Sequence, residues 1–328
     1  MATQSAEFTG PDGTLRVELL PDGRHQISVQ PKLGYRIAVR SWVTAYPIEL
    51  IRIIHTAKGL FVCDEIMREE SSRYVERSLR HEVLAYVDRA AFAGKRILDF
   101  GCGSGASTLV LNRRLPPCEI VGVEVEGRLI DVARARTRHL GRGGVEFLQS
   151  PSGDRLPPDL GTLDFVVFSA VFEHLLPHER LAVLTQIWSH LRSGGVLFLN
   201  QTPYRYAPIE MHTTGGVPLI NYLPDGLALR MARACSSRVS ATEDWDTLLR
   251  RGIRGGTVPE ILTILGGARH AELLTPLPPL RDRIDLWYRM LSRRHAWLKC
   301  SIWGSLKVVR ALTGKQITPS LALAIRKR

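Results

Sequence analysis

An α/β protein built on a mostly parallel sheet with helices on both faces is the fold class predicted by this 328-residue sequence. Three observations carry the prediction. From Lys95 onward, short apolar runs alternate with stretches at helical apolar spacing, which is the pattern of βαβ units. A glycine cluster, Gly101-Cys102-Gly103-Ser104-Gly105, lies where the first of those runs gives way to a helix. The composition, 45 % hydrophobic and 23 % charged, is that of a globular chain and excludes collagen-like, disordered and coiled-coil classes.

Taken in order, residues 1–94 form an N-terminal extension. Its first residues carry neither a basic stretch nor an apolar one, so no secretory signal is expected. Residues 14–29 alternate apolar and polar around Pro21-Asp22-Gly23 and predict a β-hairpin. Residues 64–90 place Tyr74, Leu79, Leu84 and Val87 at helical spacing, and Gly94 ends the pattern.

Residues 95–200 form the core of the sheet, with strands at 96–100, 119–124, 145–148, 163–168 and 195–200. Helices at 107–114, 128–139 and 179–191 separate them. The alternation lapses over 201–257, where Pro203, Pro208, Gly215-Gly216, Pro218 and Pro224-Asp225-Gly226 punctuate the chain. That stretch is expected to be a lid over the sheet edge that shapes an acceptor site. Residues 258–328 return to the sheet with a helix at 258–265 and strands at 271–274 and 321–325, making seven strands. A basic helical insertion, 277–312, interrupts them.

The cysteines, Cys63, Cys102, Cys118, Cys235 and Cys300, are odd in number and scattered. They argue against a disulfide framework or a zinc knuckle and for a reducing, cytoplasmic setting. The formal net charge is +12, yet residues 281–328 hold 12 Lys and Arg against two acids, which leaves the rest of the chain near neutral. Leu298, Ile302, Leu306, Val309 and Leu312 continue an apolar stripe begun by Ile284, Trp287 and Leu291. Trp297, Trp303, Lys299, Lys307 and Arg310 lie nearby. This is the composition of an interfacial helix, and it predicts peripheral contact with a membrane surface through 281–312. The competing reading is a helical pair packed on the core. No apolar run is long enough to span a bilayer.

A glycine turn between strand and helix lets a ligand approach the backbone. Glu124, ending the next strand, is placed to accept ribose hydroxyls. Together they predict an adenosine-containing ligand. Gly101-x-Gly103-x-x-Ala106 also fits the dinucleotide fingerprint, but Asp99, two residues before Gly101, suits a cationic amino group better than a pyrophosphate.

The run Ile97-Leu98-Asp99-Phe100-Gly101-Cys102-Gly103-Ser104-Gly105 resembles the first motif of class I S-adenosylmethionine-dependent methyltransferases. The resemblance continues in order and spacing through Val121-Gly122-Val123-Glu124, Leu163-Asp164-Phe165-Val166-Val167, Phe172-Glu173-His174-Leu175 and Leu191-Arg192-Ser193-Gly194-Gly195-Val196-Leu197. It implies a Rossmann-like methyltransferase fold and S-adenosylmethionine as cofactor. Gly101, Cys102 and Gly103, in a loop closed by Gly105, would line its methionine part. Asp99 would face its amino group, Glu124 the ribose, and Val125 the adenine. Ser169 and Ala170 would lie beside the sulfonium. The family's Gly-Asp after the third strand is replaced by Gln149-Ser150-Pro151-Ser152-Gly153-Asp154, so Ser152, Asp154 or a backbone carbonyl would take the adenine amino group.

An oxygen or nitrogen acceptor must lose a proton, which a histidine can take. His174, after the fourth strand, is the first candidate base; its alternative role is to brace the pocket. Tyr204, Glu210 and His212, after the fifth strand, are the second group; their alternative is a proline-fixed loop. Glu210 and His212 alone are too few to claim a metal. A faint similarity of Asn200-Gln201-Thr202-Pro203-Tyr204 to the Asn-Pro-Pro-Tyr motif of nucleobase methyltransferases follows the wrong strand, so nucleic acid is not favoured. The expected acceptor is a small molecule, a saccharide or a lipid-linked intermediate, methylated on oxygen. The alternatives are a nicotinamide-dependent oxidoreductase and a non-catalytic adenosine-ligand binding partner. The oligomeric state is left open.

Overall fold

The computed structural model describes residues 5–32, 37–290 and 296–328. Four antiparallel strands open the chain in the order β1 (Ser5–Thr9), β2 (Gly13–Leu19), β3 (His25–Pro31) and β4 (Ser41–Thr44). The hairpin predicted over 14–29 is β2–β3, which pairs Leu19 with His25 across Pro21-Asp22-Gly23. Leu15, Val17, Ile27 and Val29 point from one face onto α1 (Ile48–Lys58) and α2 (Val62–Glu70). The helical stretch foreseen over 64–90 resolves into α2, α3 (Val75–Ser78) and a π-helical turn, Leu79–Val83.

The central sheet is built from β5 (Arg96–Phe100), β6 (Glu119–Glu124), β7 (Val145–Gln149), β8 (Leu163–Ser169) and β9 (Leu191–Pro203). The helices between them are α4 (Ala106–Arg114), α5 (Gly127–Leu140) and α6 (Pro177–His190). An insertion follows with a two-residue ribbon, β10 (Ile209–Glu210) and β11 (Val217–Pro218), and two helices, α7 (Asp225–Cys235) and α8 (Trp245–Arg250). The chain ends with α9 (Val258–Ile264), β12 (Ala271–Leu273), α10 (Arg283–Met290), α11 (Ala296–Thr313) and β13 (Ser320–Lys327). Leu291 of the predicted apolar stripe lies outside the described residues.

The strand order is β12-β13-β9-β8-β5-β6-β7. β13 alone runs against the other strands, pairing antiparallel with β12 and β9, while the remaining pairs are parallel. Within this sheet the chain order is 3-2-1-4-5-7-6, whereas the dinucleotide-binding arrangement runs 3-2-1-4-5-6. Alternate side chains feed two apolar layers. Leu98, Val121, Phe168, Leu199 and Leu323 meet Leu184 and Ile187 of α6. Ile97, Ile120, Val167, Phe198 and Ala324 meet Val110 and Leu111 of α4 and Leu286 of α10. A sheet covered on both faces explains why its strands read as continuous apolar runs.

Strand order reverses between β5 and β8, and in such sheets the crevice beyond the carboxyl ends at that point is the natural binding place. The 201–257 insertion adds no strand to either sheet edge. It has a small core of its own, including Val217, Ile220, Ala228, Ala232 and Leu248. It meets the sheet domain at the turn after β8 and the start of α6, where Arg250 pairs with Glu179 at 2.5 Å and α8 packs on residues 172–174.

Candidate active site

The turn from β5 into α4 is held by Gly101 N–H and Cys102 N–H, both donating to Val123 carbonyl at 2.8 and 3.1 Å. Gly101 and Gly103 adopt φ of +72° and +55°. A Cβ on Gly101 would lie 2.5 Å from Val171 Cγ2, whereas one on Gly103 would meet nothing within 4 Å. The loop is therefore packed behind and open in front. The opening is a cavity of about 510 Å³, within the usual range for small-ligand sites. Asp99 forms part of its wall and is buried; Ser107 Oγ and Thr108 Oγ1 donate to its Oδ2 at 2.6 and 2.7 Å. Burial pushes its carboxyl up to about 6, against the lowering effect of those two hydroxyls.

The N-terminal extension adds Lys58, Glu65, Arg68, Ser78 and Glu82 to the cavity's lining, joined by Gln201 from β9. Glu82 is 1 % exposed. Gln201 Nε2 donates to its Oε2 at 2.9 Å, and Ser78 Oγ donates to the same oxygen. Burial dominates and raises the Glu82 carboxyl to about 7. Two non-glycine residues of this cavity, Ala170 and Gln201, sit in the left-handed region with φ of +55° and +64°. Ala170 follows β8 and Gln201 lies within the adjacent strand β9, and Ala170 N–H donates to Asn200 carbonyl at 2.9 Å. Strain of this kind persists only where surroundings over-determine it, and it clusters at functional sites.

A buried polar network ties the extension to the glycine loop. Ser104 Oγ donates to Glu65. Arg136 of α5, wholly buried, donates to Ser104 Oγ at 3.0 Å and to the Glu65 carbonyl at 3.0 Å. The Glu65 carboxyl is held low despite burial, by Arg136, the Ser104 hydroxyl and Lys58.

Of the residues singled out from sequence, Asp99, Gly101, Cys102, Gly103, Ser169 and Ala170 line the cavity. Gly105 packs behind the loop, where a Cβ would lie 2.8 Å from that of Ala133. Glu124 turns its carboxylate toward the loop and accepts from Gly103 N–H at 3.1 Å and Val125 N–H at 2.7 Å. Val125 is 45 % exposed beside it. Ser152 Oγ donates to Asp154 at 2.6 Å, and Gly153 abuts Glu179; neither is among the cavity's lining residues.

The four candidate catalytic residues are also absent from that lining. His174 and His212 face each other, ring centroids 5.5 Å apart. Glu210 accepts from the N–H groups of His212, Thr213 and Thr214 and so shapes its own loop. Tyr204 packs edge-on against Tyr206. Glu82 was not singled out, though the sequence holds a signal for it. Leu79, Glu82, Val83 and Tyr86 share one helical stripe, and a carboxylate on a buried stripe is the anomaly to look for.

A family model described as "Methyltransferase domain" matches residues 97–195. The chain is 26 % identical to carboxy-S-adenosyl-L-methionine synthase of Photobacterium profundum, over 51 % of this chain and 68 % of that one. It is 31 % identical to trans-aconitate 2-methyltransferase of Deinococcus radiodurans, over 31 % of this chain and 36 % of that one. It is 40 % identical to magnesium-protoporphyrin O-methyltransferase of Rhodobacter capsulatus, over 23 % of this chain and 31 % of that one. Several further curated relatives are matched over about half to two thirds of their own length.

Proposed function

We propose, for a chain that belongs to the class I S-adenosylmethionine-dependent methyltransferases, that its cavity transfers a methyl group to a hydroxyl oxygen of a small-molecule, saccharide or lipid-linked acceptor. The observation that carries this reading is that two buried carboxylates line one cavity: Asp99 beside the open glycine loop, and Glu82, with a proton affinity near neutrality.

The residues fit the cofactor. Asp99, which among the described residues accepts from the Ser107 and Thr108 hydroxyls and not from a cation, would take the amino group. Glu124 would take the ribose hydroxyls, and the space over Gly103 would admit the chain between them. When bound, S-adenosylmethionine supplies a methyl group on a sulfonium, whose carbon–sulfur bond breaks with its electron pair left on sulfur. Ser169 and the strained Ala170 would shape the wall beside that centre. Glu82 would receive the acceptor's hydroxyl proton as oxygen bonds to the methyl carbon, with Gln201 and Ser78 holding its carboxylate in place. A base with a pKa near the working pH is the efficient one, and Glu82 meets that condition. The histidines His174 and His212, Glu210 and Tyr204 would instead order the insertion beside the cavity.

For this protein's setting we further propose peripheral membrane contact through α10 and α11. Trp297, Leu298, Ile302, Val308 and Leu312 of α11 are exposed, while Lys307 turns inward to Asp282 at 2.8 Å and Arg310 pairs with the same carboxylate. An apolar flank toward solvent supports a lipid surface as its cover. Among the described residues, no helix is long and apolar enough to cross a membrane.

The test of the catalytic reading supplies methyl-labelled S-adenosylmethionine and a metabolite extract to wild type and to Glu82→Gln. Label should move to an extracted hydroxyl compound, with a rate about 10²-fold lower in the variant at unchanged cofactor affinity. S-adenosylhomocysteine, and not NAD, should raise the melting temperature. Label retained on the adenosyl compound, or a Glu82→Gln rate equal to wild type, overturns it.

A further inference from the structure

We infer that Glu173, His174 and His212 form a mononuclear site for a divalent transition-metal ion, which joins the 201–257 insertion to the turn after β8. One ligand atom from each of the three lies within 4.8 Å of the others. Two imidazoles and one carboxylate are donors that suit zinc, iron, cobalt or nickel better than magnesium or calcium.

The carboxylate is the strongest element of the argument. Glu173 is fully buried. Its Oε2 accepts from Thr202 Oγ1 at 2.8 Å, whereas Oε1 has no hydrogen-bond partner among the described residues. A buried carboxylate oxygen left bare is costly unless something positive meets it. That oxygen is 3.7 Å from His174 Nε2, outside hydrogen-bonding range, so the imidazole does not satisfy it. The nearby guanidiniums form their ion pairs with other carboxylates: Arg180 with Glu260 at 3.0 Å, Arg250 with Glu179 at 2.5 Å, and Arg251 with Glu243 at 2.6 Å; Arg180 also donates to the Glu173 carbonyl at 3.5 Å, not to its carboxylate.

The outer contacts are those that orient metal ligands. His174 Nδ1 lies 2.7 Å from the Arg250 carbonyl. A carbonyl can only accept, so Nδ1 carries the proton and Nε2, on the Glu173 side, keeps its lone pair. Thr202 fixes the carboxylate in the same manner. Gly252 makes room: a Cβ there would lie 2.8 Å from His212 Cδ2 and 3.1 Å from Glu173 Cγ. His174 is partly exposed and His212 exposed, so an ion can enter from solvent and coordination positions remain for water. Glu173 and His174 follow β8, and His212 comes from the insertion. An ion held by all three would pin the insertion to the sheet domain at its attachment point.

The test uses the full chain, stripped with chelator and titrated with Co²⁺, read by visible ligand-field absorption and by metal content after gel filtration. The expected result is saturation at one ion per chain, displacement by Zn²⁺, and a higher melting temperature with metal. His212→Gln and Glu173→Gln should each lose at least tenfold in affinity, and their melting temperature should no longer respond to metal. Melting of the stripped variants separates lost binding from lost folding; His174→Asn serves if either one fails to fold. Absence of saturable Co²⁺ binding in wild type, or His212→Gln and His174→Asn binding as tightly as wild type, overturns the site. The readout is independent of methyl transfer, so it stands or falls apart from the proposed activity.

Discussion

Folding takes the Glu82 carboxyl out of water and pairs it with a hydroxyl and an amide, without a cation. Its proton, which leaves near 4.5 in an unfolded chain, is then held to about pH 7. Between those values the folded form binds more protons than the unfolded one, so stability falls as pH rises from about 4.5 to 7. A shift of this size corresponds to about 3 kcal/mol. Glu82→Gln should therefore melt above wild type at pH 8 and close to it at pH 4, the reverse of its effect on turnover; thermal unfolding at both pH values checks this. Asp99 gives a second pH effect. Its carboxyl, raised to about 6 by burial, must be ionised to hold an ammonium. Calorimetric affinity for S-adenosylmethionine should fall toward tenfold per pH unit below about pH 6, and Asp99→Asn should bind weakly with a flat profile. Asp99 was legible in the sequence because a strand, an acid and a glycine turn are contiguous. Glu82 was less so, since its meeting with Gln201, 119 positions away, exists only in three dimensions. Glu173 and His212 share that difficulty.

Among the elements, the βαβ alternation from residue 95 was readable because the central strands β5, β6, β8 and β9 are covered on both faces and the helices on one, so apolar runs and helical spacing mark them separately. The N-terminal sheet was half readable. Strands β2 and β3 alternate cleanly around a Pro-Asp-Gly turn, but β1 has an exposure pattern with no buried position, and β4 is only four residues long. Neither carries enough period-two signal to stand out. Apolar packing of Leu79, Val83, Tyr86 and Phe92 against the sheet joins that extension to the core, and a buried polar network adds to it: Glu65 of α2, Ser104 of the glycine loop and Arg136 of α5. Removing one partner of a buried pair leaves a stranded charge and costs about 3 to 5 kcal/mol, while replacing both by apolar residues is often neutral. Arg136→Met should lower unfolding free energy in urea by about that amount and weaken cofactor binding through the loop it supports. Glu65→Leu combined with Arg136→Met should recover much of the stability. A double variant no more stable than the single one would show that this network does not act as a pair.

At the scale of the molecule, charge and apolar surface are divided unevenly. Twelve of 44 basic residues fall in the last 48 positions, and the sequence alone suggested a helix with basic and apolar faces there. The structure alters how those faces are used. Asp282, 1 % exposed as a side chain, gathers Lys307 and Arg310, and Asp285 takes Lys307 and the Trp303 indole. The inward side of α11 is thus charged and satisfied, while Trp297 at 72 % exposure and Leu312 at 80 % face solvent. No apolar side chain described in α11 is buried, so the helix gains little from packing and its apolar flank awaits a cover. If that cover is a lipid surface, the full chain should co-sediment with vesicles containing anionic lipid. Trp297→Ala with Leu312→Ser should reduce the bound fraction several-fold without changing the melting temperature. Salt should weaken the binding only in part, because two of the cations are already neutralised within the protein. Equal recovery of wild type and variant from the vesicle pellet would remove the membrane reading, and would leave the flank to a protein partner or a second copy of the chain.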